Sequence, residues 1–267
     1  MAYSLFAPGK RLRPLLALLA CEAAGGAREA ALPGACAVEK VHTYSLVHDD
    51  LPAMDDDDLR RGQPTCHKKY GEALAILAGD ALLTASFQVL AEGCPPRTAA
   101  VSCAELAQGA GVVGMVGGQV RDLEASGDIG SPSSGDLRPS LVRLEETHRL
   151  KTGALFRSSL RLGLYAAQAE NGVEPKTLQR LDTYASAFGL AFQVTDDLLD
   201  VESTAAVAGK AVGKDAARGK LTYPGLLGIP ESRQRAAELG QTAIDAAEAL
   251  GSEPLARLAR FVLERQH

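Results

Sequence analysis

The chain has 267 residues, of which 46% are hydrophobic, 4% aromatic and 23% charged, and its formal net charge is −5. This balance excludes a disordered or fibrous chain, and an overall negative charge argues against a nucleic-acid-binding protein. A chain of this length can bury about 70–75% of the surface that its unfolded form exposes. Because it has no Trp, Leu, Ala and Val must fill the core, which favours an all-α fold.

The segment Lys10–Cys21 reads KRLRPLLALLAC and resembles a secretory signal, with basic residues before a short apolar run. We interpret it as a buried helix instead, because Pro14 suits a first helical turn. No stretch is expected to approach the roughly 20 apolar residues of a membrane span.

The cysteines are five in number and form no CxxC pair: Cys21, Cys36, Cys66, Cys94 and Cys103. An odd count without paired spacing argues against a disulfide framework or a zinc site. It indicates a reducing compartment, and we predict the cytoplasm.

The first acidic run, Asp49–Asp58, reads DDLPAMDDDD and holds six carboxylates in ten residues. Such crowding costs free energy unless cations neutralise it, although a solvated acidic turn is the plain alternative. In an unbroken helix Asp49 and Asp55 would lie about 240° apart around the axis. Pro52 removes a backbone N–H and should make the backbone bulge, so that Asp55 returns toward Asp49.

Helical periodicity recurs along the chain, and no alternation is long enough for a sheet. The clearest apolar stripe is a helix core face formed by Leu178, Leu181, Ala185, Phe188 and Phe192. Loops are predicted where Gly, Pro and Ser cluster, at 93–96, 126–140, 171–175 and 203–219. Because apolar helices flank each loop, we interpret residues 1–267 as one domain.

A second acidic cluster lies in FQVTDDLLD, residues 192–200. Asp196 and Asp200 are one helical turn apart, about 40° in projection, and Gln193 shares their face. Two facing carboxylate clusters would form a cage of hard oxygen ligands. Magnesium is its natural occupant, because it takes one or two carboxylates and completes its shell with water and phosphates.

Small basic groups complement the acids. Each alone is typical of a solubilising surface, and no P-loop pattern is present. Together they predict phosphate binding, since Arg forks onto phosphate oxygens and Lys acts as a point charge. They lie at 9–14, 60–61, 151–153, 210, 213–215 and 219–220.

Six motifs, taken in order, resemble those of the trans-isoprenyl diphosphate synthases, most closely the bacterial farnesyl diphosphate synthases. They run nearly end to end: GKRLRP from Gly9, HDDLPAMDDDDLRRG from His48, GGQVRDL from Gly117, KTG from Lys151, FQVTDDLLD from Phe192 and GKDAARGKLTYP from Gly213.

The resemblance implies an antiparallel helical bundle around a deep apolar cavity, with three Mg²⁺ ions per active site. It implies that Asp49 and Asp55 bind two ions and that Asp196 and Asp200 hold the third, with Asp50 and Asp197 in support. The residues implied to hold the allylic diphosphate are Arg60, Lys151, Thr152, Gln193 and Lys210, with Lys220 close by. Those implied to bind isopentenyl diphosphate are Lys10, Arg13, His42 and Arg61. The implied catalytic set is Asp49, Asp55, Lys151, Asp196 and Lys210.

The implied activity is head-to-tail condensation of isopentenyl diphosphate with dimethylallyl and geranyl diphosphates, by ionisation of the allylic C–O bond. Tyr44 and Ser45 precede Asp49 by five and four residues, where bulk sets product length in the family, and the Tyr44 ring favours farnesyl diphosphate. A geranylgeranyl diphosphate synthase and a non-catalytic regulatory subunit are the alternatives. A terpene cyclase would need neither GKRLRP nor paired arginines. A homodimer is expected, with no nucleic acid or membrane partner.

Two features depart from the family. Its GKRLRP motif usually follows a further N-terminal helix, whereas only eight residues precede Gly9 here. The loop Ser126–Ser140 is also longer and richer in Gly, Ser and Pro than the family needs.

Overall fold

The computed structural model describes residues 1–127, 129, 140–170, 172–206 and 221–264. Within these ranges the regular structure is helical apart from one two-stranded hairpin, which confirms the all-α prediction. The helices are α1 (Ala2–Leu5), α2 (Leu12–Ala23), a 3₁₀ turn (Arg28–Ala31), α3 (Leu32–Asp49), α4 (Cys66–Tyr70), α5 (Glu72–Gly93), α6 (Pro96–Ala110), α7 (Met115–Ser126), α8 (Leu141–His148), a π-helical segment (Arg149–Gly153), α9 (Ala154–Ala167), α10 (Pro175–Ala206), α11 (Tyr223–Leu227), α12 (Ile229–Ala249) and α13 (Glu253–Glu264). The strands are β1 (Leu59–Arg60) and β2 (Gln63–Pro64).

The chain divides into two compact units. Unit 1 comprises Met1–Leu106 and Ser158–Val173, and unit 2 comprises Ala107–Arg157 and Glu174–His267. Two of the boundaries fall within helices, in α6 and α9. The interpretation of the chain as one domain stays a prediction.

In unit 1, helix α3 packs against both α2 and α5. Its buried apolar side chains include Val38, Val41 and Val47, and α2 buries Leu16, so the predicted helix after GKRLRP is confirmed as a core element. Gly163 lets α9 approach α2 closely, because a Cβ there would overlap the carbonyl oxygen of Ala17.

A buried carboxylate ties α6 to α9 within unit 1. Glu105 is only 4% exposed, and it accepts hydrogen bonds from Ser158 Oγ at 2.9 Å and from Arg161 Nη1 at 3.0 Å. The Tyr165 hydroxyl lies 3.4 Å from the same carboxylate. A charge buried this deeply is tolerated because it is paired and hydrogen-bonded.

In unit 2, helix α10 packs most extensively against α12. The predicted stripe is confirmed as core, with Leu181, Ala185 and Phe188 buried. The Phe156 ring meets the rings of Phe188 and Phe192 edge to face, at centroid distances of 5.3 and 5.5 Å. These aromatic contacts fix the face of α10 that precedes the second acidic cluster.

Two segments among the described residues are long and apolar enough to cross a membrane, which corrects the expectation that no stretch approaches that length. Helix α5 has a mean hydropathy of 1.7 over 18 residues, and Pro96–Ser126 has 1.4. About a third of the α5 window is buried, through residues such as Ala75 and Leu82, and α5 packs against α3. That the protein has no membrane span stays a prediction.

Of the predicted loop at 93–96, residues 94–95 lie between α5 and α6, while Gly93 and Pro96 belong to those helices. Of the predicted loop at 171–175, residues 172–174 lie between α9 and α10, Pro175 begins α10, and residue 171 lies outside the described residues. The first four residues of the predicted loop at 203–219 belong to α10 instead, which continues to Ala206. Most of the predicted Ser126–Ser140 loop, and the rest of the later one, lie outside the described residues. All five cysteines are free thiols.

Candidate active site

The first acidic run begins at the end of α3, whose last residue is Asp49. The chain then turns, and the Asp55 backbone N–H donates to the Asp49 carbonyl oxygen at 2.8 Å. This confirms the predicted return of Asp55 toward Asp49. The helix does not continue past a bulge around Pro52; it ends before the proline, which has no N–H to extend it.

Asp50 is buried and paired with Arg60, whose Nε donates to its carboxylate at 2.5 Å. Burial raises the pKa of Asp50, and the Arg60 guanidinium opposes that rise. Arg60 also lies 3.7 Å from Asp57. Asp50 therefore orients Arg60, an arginine implied to hold the allylic diphosphate, which suits the supporting role inferred for it.

The later part of the run is neutralised by Lys68 of α4, which the sequence analysis did not single out. Its Nζ lies 2.8 Å from Asp58 and 3.9 Å from Asp56. The hydrogen bond between the two side chains lowers the pKa of Asp58 and raises the pKa of Lys68. These two carboxylates are therefore surface partners of a lysine.

A small hairpin carries the paired arginines. Strands β1 and β2 are antiparallel, with Arg60 opposite Gln63, and Arg61-Gly62 forms the two-residue turn. Both turn residues have positive φ, 53° and 76°, as a type I′ turn requires. Arg61 is thus held at the tip of the hairpin in a conformation that non-glycine residues seldom adopt.

Three of the four residues implied to bind isopentenyl diphosphate, Arg13, His42 and Arg61, form a basic cluster with Arg11 in unit 1. Burial lowers the pKa of Arg13 to about 10, with Glu39 raising it and Arg61 lowering it further. Burial also holds the pKa of His42 well below its usual value, and the positive charge of nearby arginines adds to the effect. The lowered pKa favours the neutral imidazole, which can act as a hydrogen-bonding group.

Glu39, on α3, is the counter-charge of this cluster and was missed from the sequence. It pairs with Arg11 Nη1, and its charge raises the pKa of both Arg13 and Arg61. Lys10 lies just before α2 and is exposed. The cluster thus combines several cations with a single half-buried carboxylate, which suits a polyanionic ligand.

Tyr44 is buried on α3 one turn before the acidic run, with 7% of its surface exposed. Its ring meets that of His48 edge to face at 5.7 Å. Burial raises the pKa of Tyr44, and the charge of Asp49 raises it further, so the phenol lies within electrostatic reach of the first acidic cluster. Ser45 turns its hydroxyl back to the His42 carbonyl at 3.0 Å.

In unit 2, Lys151 and Thr152 lie in the π-helical segment Arg149–Gly153, between α8 and α9. Such π-helical turns are rare and often occur at functional sites. Lys151 Nζ forms an ion pair of 2.6 Å with Asp122 of α7. Asp122 belongs to the GGQVRDL motif, but its partnership with Lys151 could not be read from the sequence because 29 residues separate them.

The π-helical segment is anchored at its first residue by another buried carboxylate. Glu145 of α8 accepts a hydrogen bond from Arg149 at 2.7 Å and two from Arg235 of α12, at 2.7 and 3.2 Å. These contacts join α8, the segment and α12 around one charge.

The second acidic cluster lies on α10 as predicted. Asp196 is exposed, Asp200 and Gln193 are half-buried, and the three share one helix face by their spacing. Asp197 points elsewhere: it is buried and accepts a hydrogen bond from the Tyr223 backbone N–H at 2.9 Å. It therefore ties α10 to α11, in agreement with a supporting role.

Lys210 and Lys220, implied to lie near the allylic diphosphate, fall outside the described residues. That Asp49 and Asp55 face Asp196 and Asp200 across a cavity stays a prediction, because the two pairs belong to different units.

The donor chemistry fits magnesium that is shared with substrate. Within the part of the chain that the structure describes, no group of three or more His, Cys, Asp or Glu side chains is gathered to hold an ion. Each acidic cluster instead offers a pair of carboxylates. Magnesium bound through one or two carboxylates and substrate phosphates needs no larger protein cage.

Comparison with known proteins identifies the family. The polyprenyl synthetase family profile matches residues 1–252. The chain is 44% identical to the farnesyl diphosphate synthase of Escherichia coli over 274 residues, covering 99% of this chain and 88% of the relative. It is 45% identical to a chloroplastic geranylgeranyl pyrophosphate synthase of Capsicum annuum, covering 100% and 71%.

Solved structures of similar fold include synthases of the same kind. A crystal structure described as an FPP/GFPP synthase from Zymomonas mobilis superposes with a TM-score of 0.82 at 38% identity, covering 98% of this chain and 86% of that one. The fold and these relatives together define a prenyltransferase of isoprenoid diphosphates. The chain belongs to the polyprenyl synthetase family.

Proposed function

We propose that the protein condenses isopentenyl diphosphate first with dimethylallyl diphosphate and then with geranyl diphosphate, and releases farnesyl diphosphate as its main product. The observation that carries the product length is the buried Tyr44 ring. It lies five residues before Asp49, about 7.5 Å back along the axis of α3. A growing chain whose diphosphate is held at Asp49 meets this ring as it extends along the helix.

Tyr44 is suited to stop the chain because it is held firmly. The ring is packed on His48, and His48 is held in turn against α5 by a contact of 3.1 Å between its Nε2 and the Ile76 carbonyl oxygen. A Cβ at Gly79 would overlap the His48 ring, so this close approach of α3 and α5 depends on glycine. Because His48 is fixed between the Tyr44 ring and α5, the Tyr44 ring cannot move toward α5 to admit a longer product.

Cationic side chains stabilise the diphosphate that leaves in the first chemical step. Lys151 and Arg60 are each oriented by a carboxylate, Asp122 and Asp50, so that they can meet the leaving diphosphate without a large reorganisation. The allylic C–O bond then ionises, and apolar walls exclude the water that would quench the carbocation. The isopentenyl double bond attacks, and the proton that is lost passes to the released diphosphate.

Bound magnesium supplies neutralisation of the charge that develops on the leaving diphosphate. Asp49 and Asp55 would hold two ions, and Asp196 and Asp200 a third. Asp50, buried against Arg60, would keep the first acidic turn in place, and Asp197, bonded to the Tyr223 backbone, would hold the acidic segment of α10.

The basic cluster of unit 1 would hold the second substrate, isopentenyl diphosphate. Arg13 remains cationic at neutral pH even with its lowered pKa of about 10. Neutral His42 can donate one hydrogen bond to a phosphate oxygen. Positioning the isopentenyl double bond near the allylic carbon is the remaining contribution of this cluster.

A geranylgeranyl diphosphate synthase is the second candidate, because the plant relative that makes that product is as similar in sequence as the bacterial farnesyl relatives. The deciding experiment is incubation of the full chain with both five-carbon substrates and Mg²⁺, followed by chromatography of the dephosphorylated products. A dominant fifteen-carbon alcohol supports the proposal. A dominant twenty-carbon alcohol favours the second candidate, and no condensation contradicts both.

We also propose that the protein acts as a cytoplasmic homodimer. The support for a dimer is the large apolar surface of α5, where Leu74, Ile76 and Leu77 are 53%, 44% and 62% exposed. Five free thiols support a reducing compartment.

A further inference from the structure

Residues Met1–Gly9 form an N-terminal strap over the hairpin that carries the paired arginines. The Tyr3 hydroxyl donates to the Pro64 carbonyl oxygen of β2 at 2.7 Å. Its ring lies under Lys69 Nζ, 4.0 Å from the centroid, and meets the Tyr70 ring edge to face at 5.4 Å. One hydrogen bond, one cation–π contact and one aromatic contact therefore anchor the strap at Tyr3.

The other end of the strap touches the arginines themselves. Arg61 Nη1 donates to the Pro8 carbonyl oxygen at 2.7 Å, and Arg11 Nη2 donates to the Ala7 carbonyl oxygen at 2.5 Å. A carbonyl oxygen orients a guanidinium without cancelling its charge. The remaining N–H groups of Arg61 keep their capacity to bind phosphate oxygens.

Gly9 allows this approach. A Cβ added there would overlap the Arg61 guanidinium, and the backbone of Gly9 does not have the positive φ that would by itself require glycine. The glycine is therefore needed for contact with Arg61 rather than for backbone conformation.

Without the strap, the Arg61 guanidinium would lose its hydrogen bond to the Pro8 carbonyl. The turn fixes the backbone at the hairpin tip but leaves a long, exposed side chain with many rotamers. Binding would then have to order that side chain, and the ordering entropy would weaken affinity.

We propose that Tyr3 is a positioning residue for isopentenyl diphosphate, which acts by anchoring the strap so that the Pro8 carbonyl holds Arg61 ready for the diphosphate. The inference rests on the proposed function, in which Arg61 binds this substrate. In this role Tyr3 acts through Pro8 and Arg61.

The test is steady-state kinetics of the full chain, with isopentenyl and geranyl diphosphate varied in turn. Tyr3→Ala should raise KM for isopentenyl diphosphate about three- to tenfold, the effect of losing roughly one hydrogen bond. The KM for geranyl diphosphate and kcat should not change. Tyr3→Phe, which keeps both ring contacts, should raise the same KM less.

The matched control is Phe6→Ala, in the same strap. Phe6 is 79% exposed, so its removal should leave both KM values as in the wild type. A double-mutant cycle uses Arg61→Ala as the background. There Tyr3→Ala should not raise the KM for isopentenyl diphosphate further, because its effect passes through Arg61.

Three outcomes would overturn the proposal: an unchanged or lower isopentenyl KM in Tyr3→Ala, an equal rise in both KM values, or full additivity with Arg61→Ala. Failure of the proposed function gives a different result, since the wild type would then condense nothing. In that case calorimetry with inorganic pyrophosphate still decides, because Tyr3→Ala should bind it more weakly than the wild type, and equal binding overturns the role of the strap.

Discussion

Asp49 and Asp58 belong to the same acidic run but have different surroundings. Asp49 ends α3 and its carbonyl receives the Asp55 N–H, whereas Asp58 is a surface partner of Lys68. Asp49→Ala should lower turnover by about two to three orders of magnitude, because the charge on the leaving group is then poorly neutralised. Asp196→Ala should have a similar effect.

Asp58→Ala is the matched control for that substitution. It removes only an exposed ion pair, so turnover should stay within about twofold of the wild type. Far-UV circular dichroism verifies that each variant keeps its helices. Near-normal turnover in Asp49→Ala would contradict the metal-binding role.

Tyr44 is the residue that we expect to set product length. Tyr44→Ala should shift the main product from fifteen to twenty or more carbons, because it opens the space that the buried ring fills. Tyr44→Phe retains the ring volume and should retain the fifteen-carbon product. Product chromatography decides, and a fifteen-carbon product from both variants would remove Tyr44 from this role.

His42 should make stability depend on pH. Its folded pKa lies well below that of an unfolded histidine, near 6.5, because of burial and the surrounding arginines. Both states are neutral above pH 6.5; as pH falls below it, only the unfolded state takes up a proton. The free energy of unfolding should therefore fall by up to about 1.4 kcal/mol per pH unit for this group.

His42→Gln should flatten that pH dependence. Urea unfolding at pH 7.5 and 5.5 measures the difference between the two proteins. Parallel curves for the variant and the wild type would show that His42 is not the group responsible.

At the scale of elements, α7 packs closely against the π-helical segment that carries Lys151. A Cβ at Gly118 would overlap the Lys151 backbone. Gly118→Ala should lower the free energy of unfolding by about 1–3 kcal/mol, as overpacking does, and should also reduce kcat by moving Lys151.

The control lies three residues along the same helix. Arg121→Ala removes an ion pair with Glu146 in which both side chains are about half exposed, so its cost should stay below about 1 kcal/mol. Thermal unfolding and single-turnover kinetics measure both variants. If Gly118→Ala were as stable as the wild type, α7 could move away from the π-helical segment at little cost in free energy.

The elements also show what sequence reasoning can and cannot supply. Periodicity located the core face of α10, and the chemistry of proline located the return of Asp55, because both are local properties of the chain. The hairpin was missed because its strands have two residues each. Its signal was Arg61-Gly62, a turn pair in which glycine is favoured but arginine is not.

Counter-charges were missed for another reason. Asp122 meets Lys151 across 29 positions, and Arg235 meets Glu145 across 90. Such partnerships depend on how helices pack, which no local pattern encodes. The resemblance to a family supplied the cationic residues of the site but not the carboxylates that orient them.

At the scale of the whole molecule, the exposed apolar surface of α5 predicts association. Leu77→Asp should convert a particle of twice the 27.9 kDa chain mass into a single chain, because a charge would be buried at the interface. Gln88→Asp, at an exposed polar position of the same helix, should leave the dimer intact. Light scattering after gel filtration gives the masses, and a monomeric wild type would contradict the dimer.

The basic cluster of unit 1 links the stability of the folded protein to its substrate. Arg11, Arg13, Arg60 and Arg61 repel one another around His42, and Glu39, paired with Arg11, and Asp50, paired with Arg60, offset only part of this repulsion. If a diphosphate binds here as we propose, it would relieve this repulsion and, at a hundred times its Kd, stabilise the native state by about 2.7 kcal/mol. Starvation for isoprenoid precursors would then leave the enzyme in its most labile form, so the supply of substrate would govern how much of the enzyme survives.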